Sequence, residues 1–173
     1  MHKPFNTMLV LGGARSGKSA YAQRMAEQIK PRQLYVATAE PYDDEMKHRI
    51  RLHQDARGQS WTTCEEPFDL VSVIQNEASD QQAVMIDCLT LWLSNMMEKG
   101  QDLQKETLRL TEALRQAKGP VILVSNETGS GIVPENALAR KFRDEQGRLN
   151  QRVAEVCNAV ILVIAGLPMT LKG

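Results

Sequence analysis

The chain has 173 residues, and its 21 Lys and Arg are matched by 21 Asp and Glu, so the formal net charge is zero. That balance excludes the basic excess with which dedicated nucleic-acid binders neutralise phosphates, and the polybasic character of membrane-surface proteins. The length suits one domain, residues 1–173, large enough to bury about 70% of its unfolded surface without disulfide or metal staples.

The cysteines, Cys64, Cys88 and Cys157, show no C-x-x-C spacing and are odd in number. They read as small buried hydrophobes rather than as a disulfide framework or a zinc site. The apolar run Met8–Leu11 is shorter than the roughly 7–15 residues of a secretory leader. Ala159–Leu167 falls short of the ~20 needed to span a bilayer. The expectation is a cytoplasmic protein without membrane insertion.

Along the chain, short apolar runs alternate with amphipathic stretches. Met8–Gly12 reads as a buried strand, residues 13–16 as a loop, and Gly17–Lys30 as a helix stopped by Pro31. Gln33–Thr38 is a second strand, and Tyr42–Arg57 a helix whose Asp43, Asp44 and Glu45 suit its positive N-terminal end. Ser60–Glu65 is a short strand, and Pro67–Ala78 a helix with proline at its first position. Ala83–Asp87 is a strand, followed by helices over Cys88–Lys99 and Asp102–Lys118. Val121–Ser125 is a strand, Asn126–Val133 a glycine-containing loop, Pro134–Asn158 a long helix, and Ala159–Ala165 the last core strand. The seven residues from Leu167 carry no readable signal. Continuous apolar strands separated by helices imply parallel βαβ units with both sheet faces covered, hence a three-layer α/β domain.

Gly12-Gly13-Ala14-Arg15-Ser16-Gly17-Lys18-Ser19 fits G-x-x-x-x-G-K-[ST], after a strand and opening a helix, as the phosphate-loop mechanism requires. The glycines let backbone N–H groups curl around phosphate oxygens, and the helix N-terminus adds positive potential. Lys18 would reach the outer phosphates, and the Ser19 hydroxyl would ligate Mg²⁺. Asp87, after an apolar strand, stands where a magnesium-side acid is expected. The N-K-x-D guanine-reading motif of translation-type GTPases is absent from the sequence.

Arg49, His53 and Arg57 recur every four residues and share a helix face. Two guanidiniums beside an imidazole make an anion-binding strip and favour the neutral imidazole. A neutral imidazole near a nucleotide phosphate can act as a nucleophile. The same spacing also suits a solvated helix face, and the residues alone leave both readings open.

The chain resembles the bifunctional adenosylcobinamide kinase / adenosylcobinamide-phosphate guanylyltransferase family of cobalamin biosynthesis. The resemblance lies in the phosphate loop, Tyr35–Thr38, Asp43–Met46, Arg49-Ile-x-x-His53-x-x-x-Arg57, Asp87–Asn95, Val124–Asn136 and Arg140–Arg152. It implies a RecA-like P-loop sheet and a homotrimer in which a neighbouring subunit completes the site. It implies phosphorylation of adenosylcobinamide from ATP or GTP, then transfer of GMP from GTP to adenosylcobinamide phosphate through a covalent GMP–histidine. His53 matches that histidine. The matching nucleotide contacts are Gly12 to Ser19, Ala37, Thr38, Ala39, Gln54, Asp55, Ala56, Arg57, Glu65 and Asp87, with Ser19 and Asp87 on the magnesium side.

Three further readings come from the residues. Residues 126–136 follow a core strand at the edge where α/β ligands bind, so this loop is expected to shape the nucleotide or corrinoid site. Trp61 and Trp92 read as packing residues rather than ring-stacking platforms. A P-loop kinase for another small molecule, or a nucleotide-binding regulatory module, would share the phosphate loop without using His53.

Overall fold

The computed structural model describes residues 6–39, 58 and 60–173. The expected helix over 42–57, with Arg49, His53, Gln54, Asp55, Ala56 and Arg57, lies outside the described residues. The strands are β1 (Thr7–Gly12), β2 (Arg32–Ala37), β3 (Trp61–Glu65), β4 (Gln82–Asp87), β5 (Val121–Asn126), β6 (Ala159–Ile164) and β7 (Leu167–Lys172). The helices described are α1 (Lys18–Ile29), α2 (Leu70–Glu77), α3 (Leu89–Glu98), α4 (Leu103–Arg115) and α5 (Ala137–Val156).

The strands form one sheet in the order β3-β2-β4-β5-β1-β6-β7. Every neighbouring pair is parallel except β6 and β7. Alternation along each strand sends side chains to two faces. Leu9, Val36, Ile86, Leu123 and Val160 meet Ile74, Leu89, Leu93, Leu114 and Leu149 on one side. Met8, Val10, Met85, Ile122 and Val163 meet Ala22 and Ala26 of α1 on the other. The sheet is therefore sandwiched, and its near-continuous apolar strands follow from burial on both faces.

Helix starts fall later than expected because polar side chains cap from outside. Asp69 accepts from Ser72 N at 3.2 Å, Asp102 from Lys105 N at 3.1 Å, and Asn136 from Ala139 N at 3.0 Å. Each satisfies a first-turn N–H while its own backbone stays non-helical. Pro67 and Pro134 thus precede their helices rather than opening them.

The C-terminal residues, unreadable in sequence, form β7. Ala165 (φ 52°) and Gly166 (φ 80°) make the tight two-residue connection whose twist suits an antiparallel hairpin. All six residues of β7 are exposed, so no burial pattern marks it, and Pro168 argues against a strand except at a sheet edge. Trp92 is buried and donates Nε1–H to Phe68 O at 2.8 Å. Trp61 is half-buried, donates to Glu27 Oε1 at 2.9 Å, and lies edge-on to Tyr35. The cysteines are free, and burial pushes the Cys157 thiol up to about 12, which leaves it inert. Among the described residues no helix is long and apolar enough to cross a membrane.

The turn before β5 packs directly on the turn before β4. A Cβ on Gly119 would collide with the O, C and N atoms of Ser79, none of which can swing aside. Gly119→Ala is expected to lower the unfolding free energy by about 1–3 kcal/mol, read as a lower urea midpoint at unchanged slope. An unshifted midpoint would show that the two turns do not constrain each other.

Candidate nucleotide site

β1 ends at Gly12, and the chain turns through residues 13–17 before α1 begins. A Cβ on Gly12 would lie 2.6 Å from Val163 O and against Ser16 Oγ, so the turn can press onto β6 only with glycine there. Ser16 N donates to Gly13 O at 3.3 Å and Tyr21 N to Gly17 O at 3.0 Å. Arg15 sits at φ 54°, a conformation that is unfavourable for a side-chain-bearing residue and is held by its surroundings.

Two hydrogen bonds fasten this turn from outside: Gly166 N donates to Ser16 O at 2.8 Å, and Glu127 N to Gly12 O at 3.0 Å. The N-terminus of α1 has no side-chain cap and no acidic residue in its first turn. Its N–H groups are therefore presented to an anion, with the helix dipole behind them. Lys18 Nζ arches over the turn to Gly13 O at 3.0 Å, so its ammonium sits beside the space the backbone encloses. Gly13, Ala14, Arg15 and Gly17 are exposed, whereas Ser16 is buried and its hydroxyl finds no hydrogen-bond partner among the described residues.

Strand register brings the other described candidates to the same edge. Ala37 is level with Glu65 on one side and Asp87 on the other. Asp87 is level with Val124, which is level with Val10, two residues before Gly12. The carboxylate of β4 and the phosphate loop of β1 thus leave the sheet together, separated by β5. Glu65 is exposed, Asp87 and Ser19 are half-buried, and Ala39 is half-buried where the chain leaves β2.

Ala37 and Thr38 are buried, and the Thr38 hydroxyl faces inward. It donates to Cys88 O at 2.7 Å and accepts from Cys88 N at 2.7 Å. Asn95 Nδ2 donates to Thr38 O at 2.8 Å and to Pro67 O at 3.1 Å. These bonds tie the ends of β2, β3 and β4 into one platform under Asp87. Burial, and then the Asp87 charge, raise the Cys88 thiol above its ordinary value, so Cys88 serves this platform as backbone, not as a nucleophile.

For a metal, Ser19 and Asp87 would supply hydroxyl and carboxylate oxygens. Among the described residues no three His, Cys, Asp or Glu side chains gather into a metal cage. A hydroxyl and one carboxylate beside a phosphate site fit Mg²⁺, which keeps waters and shares substrate phosphates rather than needing an all-protein cage.

The loop over residues 127–136 is more ordered than its glycines suggest. Glu127 accepts from Gly129 N at 2.6 Å and from Ser130 Oγ at 2.8 Å. Arg143 donates to Gly129 O at 2.9 Å, and Arg140 to Pro134 O at 2.9 Å and Glu135 O at 2.6 Å. Burial alone would raise the Glu127 carboxyl, but Ser130, Gly129 and Arg143 together hold it below its ordinary value. Neither Gly129 nor Gly131 takes a positive φ. At the end of β5, Asn126 N donates to Thr90 Oγ1 at 2.8 Å, and Asn150 Nδ2 to Asn126 O at 3.0 Å. Sequence reading missed these supports, because an Arg one turn into a helix carries no mark that it will fold back on a loop. Gly166 was missed likewise, because Ala-Gly is not among the dipeptides that mark a two-residue hairpin.

A backbone cradle that opens a helix at the carboxyl edge of parallel strands answers to a nucleotide's phosphates, and the fold is that of P-loop nucleotide-binding proteins. An ATPase of the type III secretion system of pathogenic bacteria shares it with a TM-score of 0.57 at 10% identity, over 95% of this chain and 56% of that one. So does the P4 protein of bacteriophage phi6, solved with ADP, with a TM-score of 0.53 at 14% identity, over 97% of this chain and 55% of that one. The chain spans just over half the length of these two proteins.

The particular family follows from sequence. The model of the cobinamide kinase / cobinamide phosphate guanyltransferase family matches residues 8–171, and the chain belongs to that family. It is 46% identical to the bifunctional adenosylcobalamin biosynthesis protein CobP of Pseudomonas aeruginosa, over 95% of this chain and 96% of that protein. It is 38% identical to the corresponding CobU of Salmonella typhimurium, over 95% and 99%, and 36% identical to that of Escherichia coli, over 95% and 99%.

Thr38→Val keeps the shape but leaves the buried Cys88 N–H without its Thr38 acceptor, while the Cys88 C=O keeps only the Trp92 N–H. It is expected to lower the unfolding free energy by about 2–3 kcal/mol, measured by urea denaturation. Wild-type stability in this variant would remove the platform from the account.

Proposed function

We propose that the chain runs two phosphoryl chemistries at one nucleotide site, and that the second passes through a covalent GMP–His53. As a member of its family it is an adenosylcobinamide kinase and adenosylcobinamide-phosphate guanylyltransferase. In the kinase step, the N–H groups of residues 13–19 and Lys18 hold the phosphates of ATP or GTP. The aminopropanol hydroxyl of adenosylcobinamide attacks the γ-phosphorus and gives up its proton to solvent, the bond from that phosphorus to the bridging β-phosphate oxygen breaks, and the nucleoside diphosphate leaves. Ser19 and Asp87 would hold Mg²⁺, which when bound neutralises phosphate charge.

In the transferase step, a His53 ring nitrogen attacks the α-phosphorus of GTP, the bond to pyrophosphate breaks, and pyrophosphate departs toward the phosphate loop. An oxygen of adenosylcobinamide phosphate then attacks the same phosphorus, the P–N bond breaks, and adenosylcobinamide-GDP forms. Arg49 and Arg57 flank His53 at helical spacing. There they favour its neutral, nucleophilic form and would steady charge on the transferring group. Ala37, Thr38, Ala39, Gln54, Asp55, Ala56 and Glu65 are assigned to the nucleoside end of the site.

The observation that carries this reading is the family match across residues 8–171, which includes both the built phosphate loop and the His53 strip. We further propose a homotrimer. Leu167, Met169 and Leu171 alternate along the edge strand β7 and stand exposed together with Ile164, an apolar row that contact with a second copy would cover. A cytoplasmic location is part of the same proposal.

Incubation with α-labelled GTP tests the central step. Wild-type protein is expected to take up acid-labile, alkali-stable label that adenosylcobinamide phosphate discharges. His53→Ala should take up none, and Lys18→Ala should lose label and kinase activity together. Label that persists in His53→Ala would overturn the assignment and leave a P-loop kinase without guanylyl transfer.

A further inference from the structure

We propose that the corrin ring of adenosylcobinamide lies in the cleft between α3 and the first two turns of α5, roofed by residues 127–136. This rests on the kinase/guanylyltransferase reading above and adds where the large part of the substrate sits. The cleft encloses about 750 Å³. Met97, Pro134, Leu138 and Phe142 make its apolar lining, and Ser94 and Thr128 contribute hydroxyls. A corrin is a flat macrocycle with apolar faces and an amide-bearing rim. It calls for an apolar wall with a few hydrogen-bonding groups around it.

Exposed apolar residues neighbour the lining along the chain. Ile132 is 98% exposed, Leu138 67% and Val133 59%. Single exposed apolar residues are ordinary, but several within one short segment at one cleft mark a contact surface. The segment is also pre-organised. Glu127 closes its start, Arg143 holds Gly129 O, and Arg140 holds the Pro134 and Glu135 carbonyls. Less ordering cost then falls on the binding step.

Placement relative to the chemistry decides between clefts. Thr128, in the lining, follows Glu127, whose N–H is bonded to Gly12 O at 3.0 Å. The wall of the cleft therefore begins one residue from a direct contact with the phosphate loop, within reach of a side arm of the ring. A larger cleft of about 880 Å³ is lined by Lys141, Arg148, Arg152 and Glu155. It is more heavily charged than the first cleft, whose charged residues are Glu98 and Arg143, and it follows α5 toward the end that feeds β6, at the sheet edge opposite the phosphate loop.

The test is steady-state kinase kinetics of Leu138→Asp and Phe142→Ala, with α-labelled GTP uptake measured alongside. Leu138 is exposed enough for aspartate to be accommodated, so that variant remains informative if Phe142→Ala folds poorly. The expected result is a KM for adenosylcobinamide raised about tenfold, with the KM for GTP and the extent of self-labelling unchanged. A KM for adenosylcobinamide within about twofold of wild type in Leu138→Asp, or a parallel rise in both KM values, would overturn the proposal. Failure of the wild-type protein to phosphorylate adenosylcobinamide would instead overturn the function reading on which it rests.

Discussion

The phosphate loop is held by its neighbours' backbones, and the rest of the site takes its position from that. Gly12 lies so close to Val163 O that no side chain fits. The Gly166 N–H to Ser16 O and Glu127 N–H to Gly12 O bonds then fix the turn from the β6–β7 hairpin and from the exit of β5. A turn with Arg15 in the left-handed region would not persist alone, since such a residue costs on the order of 1 kcal/mol. Once held, it sets the direction of α1 and, through it, the places of Lys18 and Ser19. The turn is fixed before any anion arrives, so little reorganisation accompanies binding.

The second fixed point is the platform beneath Asp87. Thr38, Cys88 and Asn95 join three strand ends through hydrogen bonds of 2.7–3.1 Å. The same platform is where the chain leaves β2 toward His53, so the carboxylate of β4 and the root of the histidine segment share one support. The loop after β5 bridges the two fixed points: Glu127 touches the phosphate loop, and Arg143 ties Gly129 to α5. A zero net charge is thus an average over the chain and does not describe this edge, where Lys18, Arg140 and Arg143 act at named carbonyls.

Much of this was legible in the sequence, for physical reasons that differ by element. Strands buried on both faces, such as Leu9–Val10 and Ile122–Val124, appear as apolar runs that few other structures tolerate. The phosphate loop is legible because its chemistry demands glycine, lysine and serine at set spacing. β7 was illegible because it is wholly exposed and contains Pro168: Leu167, Met169 and Leu171 alternate, but the proline argues against a strand, and the pairing with β6 comes from backbone hydrogen bonds and a turn. The resemblance places Thr38 among the nucleotide contacts; the bond of its hydroxyl to Cys88, a partner 50 positions away, is one that local sequence does not announce. The order in residues 127–136 was hidden for the same reason. Glycines suggest freedom, while the arginines that remove it belong to the next helix.

The central claim is that nucleotide binding depends on a backbone cradle held from outside, and it is tested most directly by the GTP affinity of Gly12→Ala, measured by titration calorimetry on protein shown to be folded. A single methyl there must push against Val163 O and Ser16. The account predicts a loss of at least about tenfold in affinity with the circular dichroism spectrum retained. Wild-type GTP affinity in Gly12→Ala would contradict it.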